Sequence, residues 1–149
     1  MQVEGIIKTI VFRNAQNGYS VLKVAAVSPK KVITLTGIFP EMAEGEKIIA
    51  QGEWVNHPRF GNQFAVASHE ITVPDSNEAL IHYLSSRKFP GIGPKTATAL
   101  VEKFGNDLPN IIENSPDKLK GVTRGFTENH IIRFVSAWHL AKEEREIFL

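Results

Sequence analysis

Two glycines flank one aliphatic residue in the segment K-F-P-G-I-G-P-K-T-A-T-A-L, residues 88–100. Glycine permits positive φ and close approach by another molecule. Pro94 is suited to the first position of the helix that the following residues predict. The first N–H groups of a helix lack intrahelical partners and carry partial positive charge. The amides near Gly91, Gly93 and Lys95 are therefore predicted to bind an anion, such as a phosphate of a DNA backbone.

The neighbouring side chains fit the same chemistry. Lys95 and Thr96 lie in the first turn of the predicted helix, where they offer a cation and a hydroxyl donor to the same phosphate or the next one. Ile92 is expected to point inward and to fix the hairpin. Such contacts carry no base information, so binding would be independent of sequence and sensitive to salt. For the isolated motif, a purely structural turn between two helices remains an alternative.

The hairpin pattern recurs 34 residues later. Gly125-Phe126-Thr127 corresponds to Gly91-Ile92-Gly93, and the apolar positions Ala97, Leu100, Val101 and Phe104 correspond to Ile131, Phe134, Val135 and Trp138. Repeated units bury one another's apolar stripes, so two helix-hairpin-helix units are predicted. Thr127 stands in place of the second glycine and is expected to cap the next helix with its hydroxyl. We expect the second hairpin mainly to support the first, while Gly125 and Thr127 remain candidate DNA contacts.

The second half of the chain has helical periodicity. Asp75 and Glu78 have capping-box spacing, which predicts a helix that begins near Ser76 and ends between residues 86 and 88. Gly105 is expected to end the next helix. Leu108, Ile111 and Ile112 predict a third helix. The final residues keep a helical pattern without a stop signal, which predicts a domain truncated within a longer protein.

Residues 1–73 instead have strand periodicity. Five runs rich in β-branched and aromatic residues are separated by turn signals at residues 16–18, Ser28-Pro29, Glu44-Gly45 and residues 58–62. Asn17-Gly18 predicts a tight hairpin, because both residues tolerate positive φ. The pattern favours a five-stranded antiparallel OB-like β-barrel, with an SH3-like barrel or an open sheet as alternatives. The predicted fold is thus α+β in two domains, the barrel (residues 1–73) and an all-α tandem helix-hairpin-helix domain (residues 74–149).

The barrel half contains a second group of candidate DNA contacts. Tyr19, Lys23 and Arg59 are proposed, since aromatic rings stack on bases and interleaved cations follow the backbone of a single strand. Trp54 and Phe60 are equally compatible with core or turn packing. Arg59 in the turn H-P-R-F-G is equally compatible with a solvated surface charge.

Composition narrows the possible functions. The formal net charge is +1, with seven basic and six acidic residues before Pro74 and ten of each after it, so DNA binding would depend on backbone donors and a few placed cations. The chain has no cysteine, and its five histidines include no i, i+4 pair, which argues against thiolate chemistry and a metal site. It has no phosphate loop, so neither ATP hydrolysis nor a bound cofactor is expected. No apolar run has the length of a membrane span, which predicts a cytoplasmic protein.

Three stretches of the chain resemble the N-terminal region of bacterial RecD-like ATP-dependent DNA helicases of the long form, which carries an extra N-terminal segment. These helicases are similar to the alpha subunit of exodeoxyribonuclease V. The three stretches are G-I-I-K-T-I-V-F-R-N-A-Q-N-G-Y-S-V-L-K-V, G-E-W-V-N-H-P-R-F-G-N-Q-F, and G-I-G-P-K-T-A with V-E-K-F-G. The resemblance implies an OB-like domain and tandem helix-hairpin-helix units, followed by two RecA-like motor domains. It also implies that the hairpin residues of the family correspond to Gly91, Ile92, Gly93, Lys95 and Ala97. The chain departs from the family pattern at Thr127 and Ile131.

The resemblance implies a sequence-non-specific DNA-binding region of a helicase that unwinds DNA with 5′-to-3′ polarity in repair and recombination. The motor domains would bind ATP and Mg²⁺, and these residues themselves would not be an enzyme. The expected partners are single-stranded or forked DNA and the motor domains. The alternative is a protein-interaction or intramolecular docking module without direct DNA contact. An independent nuclease is disfavoured, because no carboxylate cluster is present.

Overall fold

Five strands form a closed barrel in the computed structural model, which describes residues 1–27 and 30–147. They are Gln2–Arg13 (β1), Tyr19–Ala26 (β2), Val32–Ile38 (β3), Lys47–His57 (β4) and Gly61–Thr72 (β5). The barrel order is β1-β2-β3-β5-β4; β3 and β5 pair in parallel, and the other pairs are antiparallel. The predicted OB-like barrel is confirmed, and the sheet is not open. The turn predicted at Ser28-Pro29 lies outside the described residues.

Inward and outward side chains alternate along the strands, and the inward apolar ones fill the barrel. In β2, Leu22 and Val24 are fully buried, whereas Tyr19 and Lys23 are exposed on the outer face. The register of β1 against β2 shifts between Ile7 and Thr9 and again between Ile10 and Phe12. These bulges explain why β1 has apolar residues on both faces, since a bulge moves the following side chains to the other face of the sheet.

The connection between β1 and β2 differs from the predicted tight turn. Only Gly18 in this loop has positive φ, at 79°, and Asn17 does not. Residues 14–18 form a longer loop, in which the Asn14 Oδ1 atom accepts a hydrogen bond of 2.9 Å from the Gln16 N–H. The backbone N–H of Asn14 also donates to the Tyr19 carbonyl at 2.8 Å. The side chain of Asn14 therefore organises the turn that Asn17 was expected to form.

Four helices follow the barrel: Asn77–Leu84 (α1), Pro94–Phe104 (α2), Leu108–Asn114 (α3) and Glu128–Ile147 (α4). Short 3₁₀ turns cover Gly105–Asp107 and Pro116–Leu119. Gly105 ends α2 as expected, and α1 ends slightly earlier than expected. Ser76 is the N-cap of α1, because its Oγ accepts from the Ala79 N–H at 3.2 Å. The predicted cap at Asp75 is wrong, since the Asp75 carboxylate instead pairs with the Lys47 ammonium at 3.1 Å.

Two hydrophobic clusters organise the molecule, one inside the barrel and one among the helices. The helical cluster contains the aromatic residues Tyr83, Phe89, Phe126, Phe134 and Trp138. It also includes Ala43 from the connection between β3 and β4, so a barrel loop contributes to the helical core. Gly45 in the same connection has φ of +94°, and a Cβ atom there would lie 2.6 Å from the Tyr83 backbone nitrogen. Only glycine allows the loop to approach α1 so closely.

A buried ionic group joins the barrel to α4. Arg145 donates through Nη1 to the Glu46 Oε2 atom at 3.3 Å and to the Tyr83 hydroxyl at 2.7 Å. Burial raises the pKa of Glu46, although the Ala43 N–H and the Arg145 guanidinium both oppose this shift. Lys88 adds a hydrogen bond of 2.6 Å to the Glu41 carbonyl. These contacts fix the helices against the barrel.

Across residues 1–27 and 30–147, the structure contains no helix with both the length and the apolar character that crossing a membrane requires.

Candidate nucleic-acid interface

The first hairpin connects α1 to α2 and has an exposed tip. Gly91 has φ of 87° and is exposed, as are Gly93 and Lys95, whereas the Ile92 side chain is buried in the helical core. Pro94 occupies the first position of α2, after Gly93 as N-cap. In the described part of the chain, the N–H groups of Gly91, Gly93, Lys95 and Thr96 donate to no backbone or side-chain acceptor. These amides are free to bind an anion.

The second hairpin, between α3 and α4, repeats the backbone hydrogen bonds of the first. The Ile92 N–H donates to the Phe89 carbonyl at 3.2 Å, and the Phe126 N–H donates to the Thr123 carbonyl at 3.2 Å. Likewise, the Ala97 N–H donates to Gly93 and the Ile131 N–H donates to Thr127, both at 3.0 Å. Phe126 is 5% exposed and replaces Ile92 as the buried residue of the turn. The 34-residue repeat thus keeps two backbone hydrogen bonds, although Gly91 has positive φ and its counterpart Gly125 does not.

The two hairpins line a common cleft with a volume of about 410 Å³. Its charged and titratable lining groups are Lys95 and Arg124, which are exposed, and His130, which is half-buried. No aspartate or glutamate lines it within the described chain. The complete lining is Gly91, Lys95, Thr96, Thr123, Arg124, Gly125, Phe126 and His130. An open, acid-free concavity with two permanent cations has the charge expected of a phosphate site.

Thr127 directly precedes α4, but its hydroxyl accepts no backbone N–H within the described residues, so the predicted hydroxyl cap is not formed. Its Oγ1 atom lies 2.7 Å from the His130 Nδ1 atom, and its backbone N–H lies 3.3 Å from the same ring nitrogen. The hydroxyl therefore faces the imidazole, and His130 supplies the acceptor for the N–H group at the start of the helix. In a capping box, a glutamate carboxylate three residues after the cap accepts this N–H group, and here the His130 imidazole accepts it instead.

The barrel candidates lie on other surfaces. Tyr19, which is 41% exposed, and Lys23 share the outer face of β2, and the Lys23 ammonium donates to the Thr34 hydroxyl at 2.7 Å. Phe12 is 50% exposed on the neighbouring strand, where it pairs with Val21. The outer sheet face thus carries two exposed aromatic rings and one cation, the combination that binds unpaired bases in single-strand sites.

Arg59 lies in the turn between β4 and β5. Its guanidinium carbon is 5.8 Å from the centre of the Phe60 ring, which is 67% exposed. The His57 Nδ1 atom accepts hydrogen bonds from the backbone N–H groups of Arg59 at 3.1 Å and Phe60 at 3.2 Å, so it organises the turn. Trp54, on the same hairpin, is 37% exposed and has the Lys31 ammonium 5.8 Å from its ring centre.

The structure brings some of the predicted site residues together and separates others. Gly91, Lys95, Thr96 and Gly125 line the cleft; Ile92 is buried beneath it, and Gly93 and Thr127 are exposed beside it. Tyr19, Lys23 and Arg59 do not line it.

Sequence reasoning missed Phe12, Thr123, Arg124 and His130. For two of these residues a signal was present in the 34-residue repeat, in which Arg124 corresponds to Pro90 and His130 corresponds to Thr96. Phe12 was hidden because the bulges of β1 break the strand alternation.

A comparison with protein families bears on the barrel. Residues 1–74 match the family described as the OB-fold domain of the ATP-dependent DNA helicase YrrC. The matched residues contain all five strands of the closed barrel and end before α1 begins. The barrel of this chain is thus similar to the OB-fold domain of a family of ATP-dependent DNA helicases.

Proposed function

We propose that this chain is the sequence-non-specific DNA-binding region of a RecD-like helicase with 5′-to-3′ polarity. In this proposal, α1 to α4 form two helix-hairpin-helix units that hold the DNA backbone. The motor domains of the parent helicase bind ATP and Mg²⁺ and use the held DNA as their substrate. The similarity of the barrel to a helicase OB-fold domain supports the assignment to this class of enzyme.

The observation that carries the proposal is the acid-free cleft between two hairpins that share two equivalent backbone hydrogen bonds. Free amides at Gly91, Lys95 and Thr96 supply donors, and the Lys95 ammonium supplies charge at the first hairpin. None of these groups reads a base edge, since all of them are suited to phosphate oxygens. A protein with a formal net charge of +1 has no broad positive field, so its DNA affinity would depend on this local site and fall with salt in proportion to the few phosphates bound.

The barrel would contribute separately to DNA affinity. Phe12 and Tyr19 on the outer face offer rings to unpaired bases, and Lys23 lies beside them. Hairpins that hold a duplex backbone, together with a barrel that binds a single strand, favour forked DNA as the ligand.

Fluorescence anisotropy with short single-stranded, duplex and forked DNA tests this function. We expect salt-dependent binding without base preference, tightest for the fork, and weakened by Lys95→Gln. Lys103→Gln removes the same charge from α2 at an exposed residue that does not line the cleft, so it serves as the matched control. The absence of binding to all three DNAs at low salt would refute the proposal and favour a protein-docking module.

A further inference from the structure

We propose that the second hairpin binds a DNA phosphate through the side chains of Arg124 and His130. These side chains would replace the free amide and the glycine that the first hairpin presents at Gly93. The inference rests on the proposed DNA-binding function and names the groups that serve it in the second half of the cleft. It makes the second hairpin a phosphate site of different chemistry, rather than a structural support for the first.

The hydrogen bonds of His130 determine which ring nitrogen is available. Nδ1 accepts the Thr127 N–H at 3.3 Å and lies 2.7 Å from the Thr127 Oγ1, which donates its proton when the ring is neutral. The remaining proton of the neutral imidazole is then on Nε2. This edge of the ring is turned away from Thr127, and the residue lines the cleft. Thr127 therefore holds the tautomer that presents an N–H donor to an anion.

Packing limits the position of the imidazole further. The centre of the His130 ring is 6.2 Å from the centre of the Phe126 ring, and the two planes are inclined by 32°. Phe126 is itself buried in the helical core. With one edge bonded to Thr127 and Phe126 beside it, the ring loses little freedom when it binds a ligand, which favours binding.

The charges around the second hairpin are mainly positive, which favours an anionic ligand. Arg124 is exposed, and within residues 1–27 and 30–147 neither Arg124 nor Lys95 forms an ion pair. Glu128 is in the first turn of α4 but does not line the cleft. Arginine binds two phosphate oxygens through its planar fork of donors. Arg124 thus supplies the charge and His130 a directed donor.

The repeat gives an independent reason to assign His130 this role. Its counterpart 34 residues earlier is Thr96, which lines the same cleft from the first turn of α2. Both hairpins therefore place a hydrogen-bonding side chain at the equivalent position of the helix that follows. Thr127 at the position of Gly93 adds a side chain near the start of α4, where a phosphate would otherwise approach the amides. A phosphate at the second hairpin would therefore be bound by side-chain donors, which extend further than the backbone amides.

Two substitutions of His130 separate binding from support of the fold. His130→Asn retains an acceptor near the position of Nδ1, so the Thr127 N–H keeps its partner, but it removes the donor at Nε2. His130→Gln retains a donor near the position of Nε2 and removes the acceptor that the Thr127 N–H uses. We expect His130→Asn to weaken duplex binding about fivefold with an unchanged melting temperature, since hydrogen bonds to charged groups contribute more than neutral ones. His130→Gln should lower the melting temperature and retain most of the affinity.

Arg124 is tested by salt titration. Arg124→Gln should weaken duplex binding about tenfold at low salt and reduce the slope of log affinity against log salt by about 1, the change expected for one lost phosphate contact. Arg133→Gln is the control, because Arg133 is exposed on α4 and does not line the cleft. It should leave the slope unchanged.

The results distinguish the two levels of inference. If the wild-type protein binds DNA while His130→Asn and Arg124→Gln bind as it does, the assignment of the second hairpin is overturned and the proposed function stands. If His130→Gln loses more affinity than His130→Asn, His130 only supports the fold and the assignment is also overturned. If the wild-type protein binds no DNA, the proposed function fails, and this assignment fails with it.

Discussion

Replacing Arg145 with methionine removes the cation that joins α4 to the barrel. The Glu46 carboxylate, which is 1% exposed, would lose its buried partner, and the Tyr83 hydroxyl would lose the hydrogen bond of 2.7 Å that Arg145 donates. The Ala43 N–H, at 2.6 Å from Glu46 Oε1, would remain. Methionine fills much of the volume of the arginine stem, so the substitution tests charge and hydrogen bonding more than packing.

The expected cost follows from burial. Removal of one partner of a buried ion pair costs about 3 to 5 kcal/mol. The Arg145–Glu46 hydrogen bond is long, at 3.3 Å, and Glu46 keeps its hydrogen bond from the Ala43 N–H. We therefore expect the free energy of unfolding to fall by about 3 kcal/mol, the lower end of this range. In the double variant Arg145→Met with Glu46→Gln, no buried charge remains, and the total loss should be smaller than the sum of the single losses by about 1.5 kcal/mol.

Urea unfolding of the wild type, the two single variants and the double variant at neutral pH completes this double-mutant cycle. Arg133→Met is the control for an exposed arginine on the same helix. Burial already raises the pKa of Glu46, and loss of Arg145 would raise it further. A raised carboxyl pKa means that the folded state takes up a proton before the unfolded state does, so the cost of Arg145→Met should decrease as the pH is lowered towards 5. A loss below about 1 kcal/mol, or strict additivity in the cycle, would refute the account of this contact.

Three further predictions concern stability. Ser76→Ala should cost about 1 kcal/mol by loss of the N-cap, while Asp75→Ala, which removes an exposed ion pair, should cost about 0.3 kcal/mol; urea unfolding that gives the reverse order would contradict the assigned cap. Gly45→Ala should cost at least about 2 kcal/mol in the same assay, because it combines positive φ with a clash against α1, and a neutral result would contradict the close approach. Burial lowers the pKa of His69, so the unfolded imidazole takes up a proton at a higher pH than the folded one, and stability decreases as the pH falls through the unfolded value of about 6.5. His69→Gln should show a smaller decrease between pH 7 and pH 5, and an equal decrease would exclude this cause.

The barrel could be predicted from the sequence because its signals are local. Strand alternation and glycine-containing turns located the five strands, and Pro94 and Gly105 located the ends of α2. Two of the errors occurred where two residues close in the sequence compete for one structural role. Asp75 and Ser76 are both good caps, and only the position of Lys47 on β4 shows why Asp75 turns away. In the same way, Asn14 organises the loop in which Asn17 was expected to have positive φ.

The candidate site was less predictable because it is assembled across the repeat. The first hairpin was identified from its glycines, but Arg124 and His130 from the second hairpin also line the cleft. Neither residue belongs to a motif that indicates phosphate binding. The buried group of Glu46, Tyr83 and Arg145 was equally hidden, since its members are 37 to 99 residues apart in the sequence. Such contacts depend on tertiary packing, which periodicity does not describe.

Binding of duplex DNA to Gly93→Val tests most directly whether the first hairpin receives a phosphate. A Cβ atom at Gly93 would have no atom within 4 Å, and φ there is −90°, so the free protein has room for a side chain. Gly93→Thr is a companion variant whose N-cap preference is similar to that of glycine. We expect affinity to fall about tenfold or more, since a lost hydrogen bond to a charged group costs about 1.5 kcal/mol or more, while the urea midpoint of the threonine variant remains near that of the wild type. Unchanged affinity in both folded variants would contradict the claim that this hairpin binds the DNA backbone.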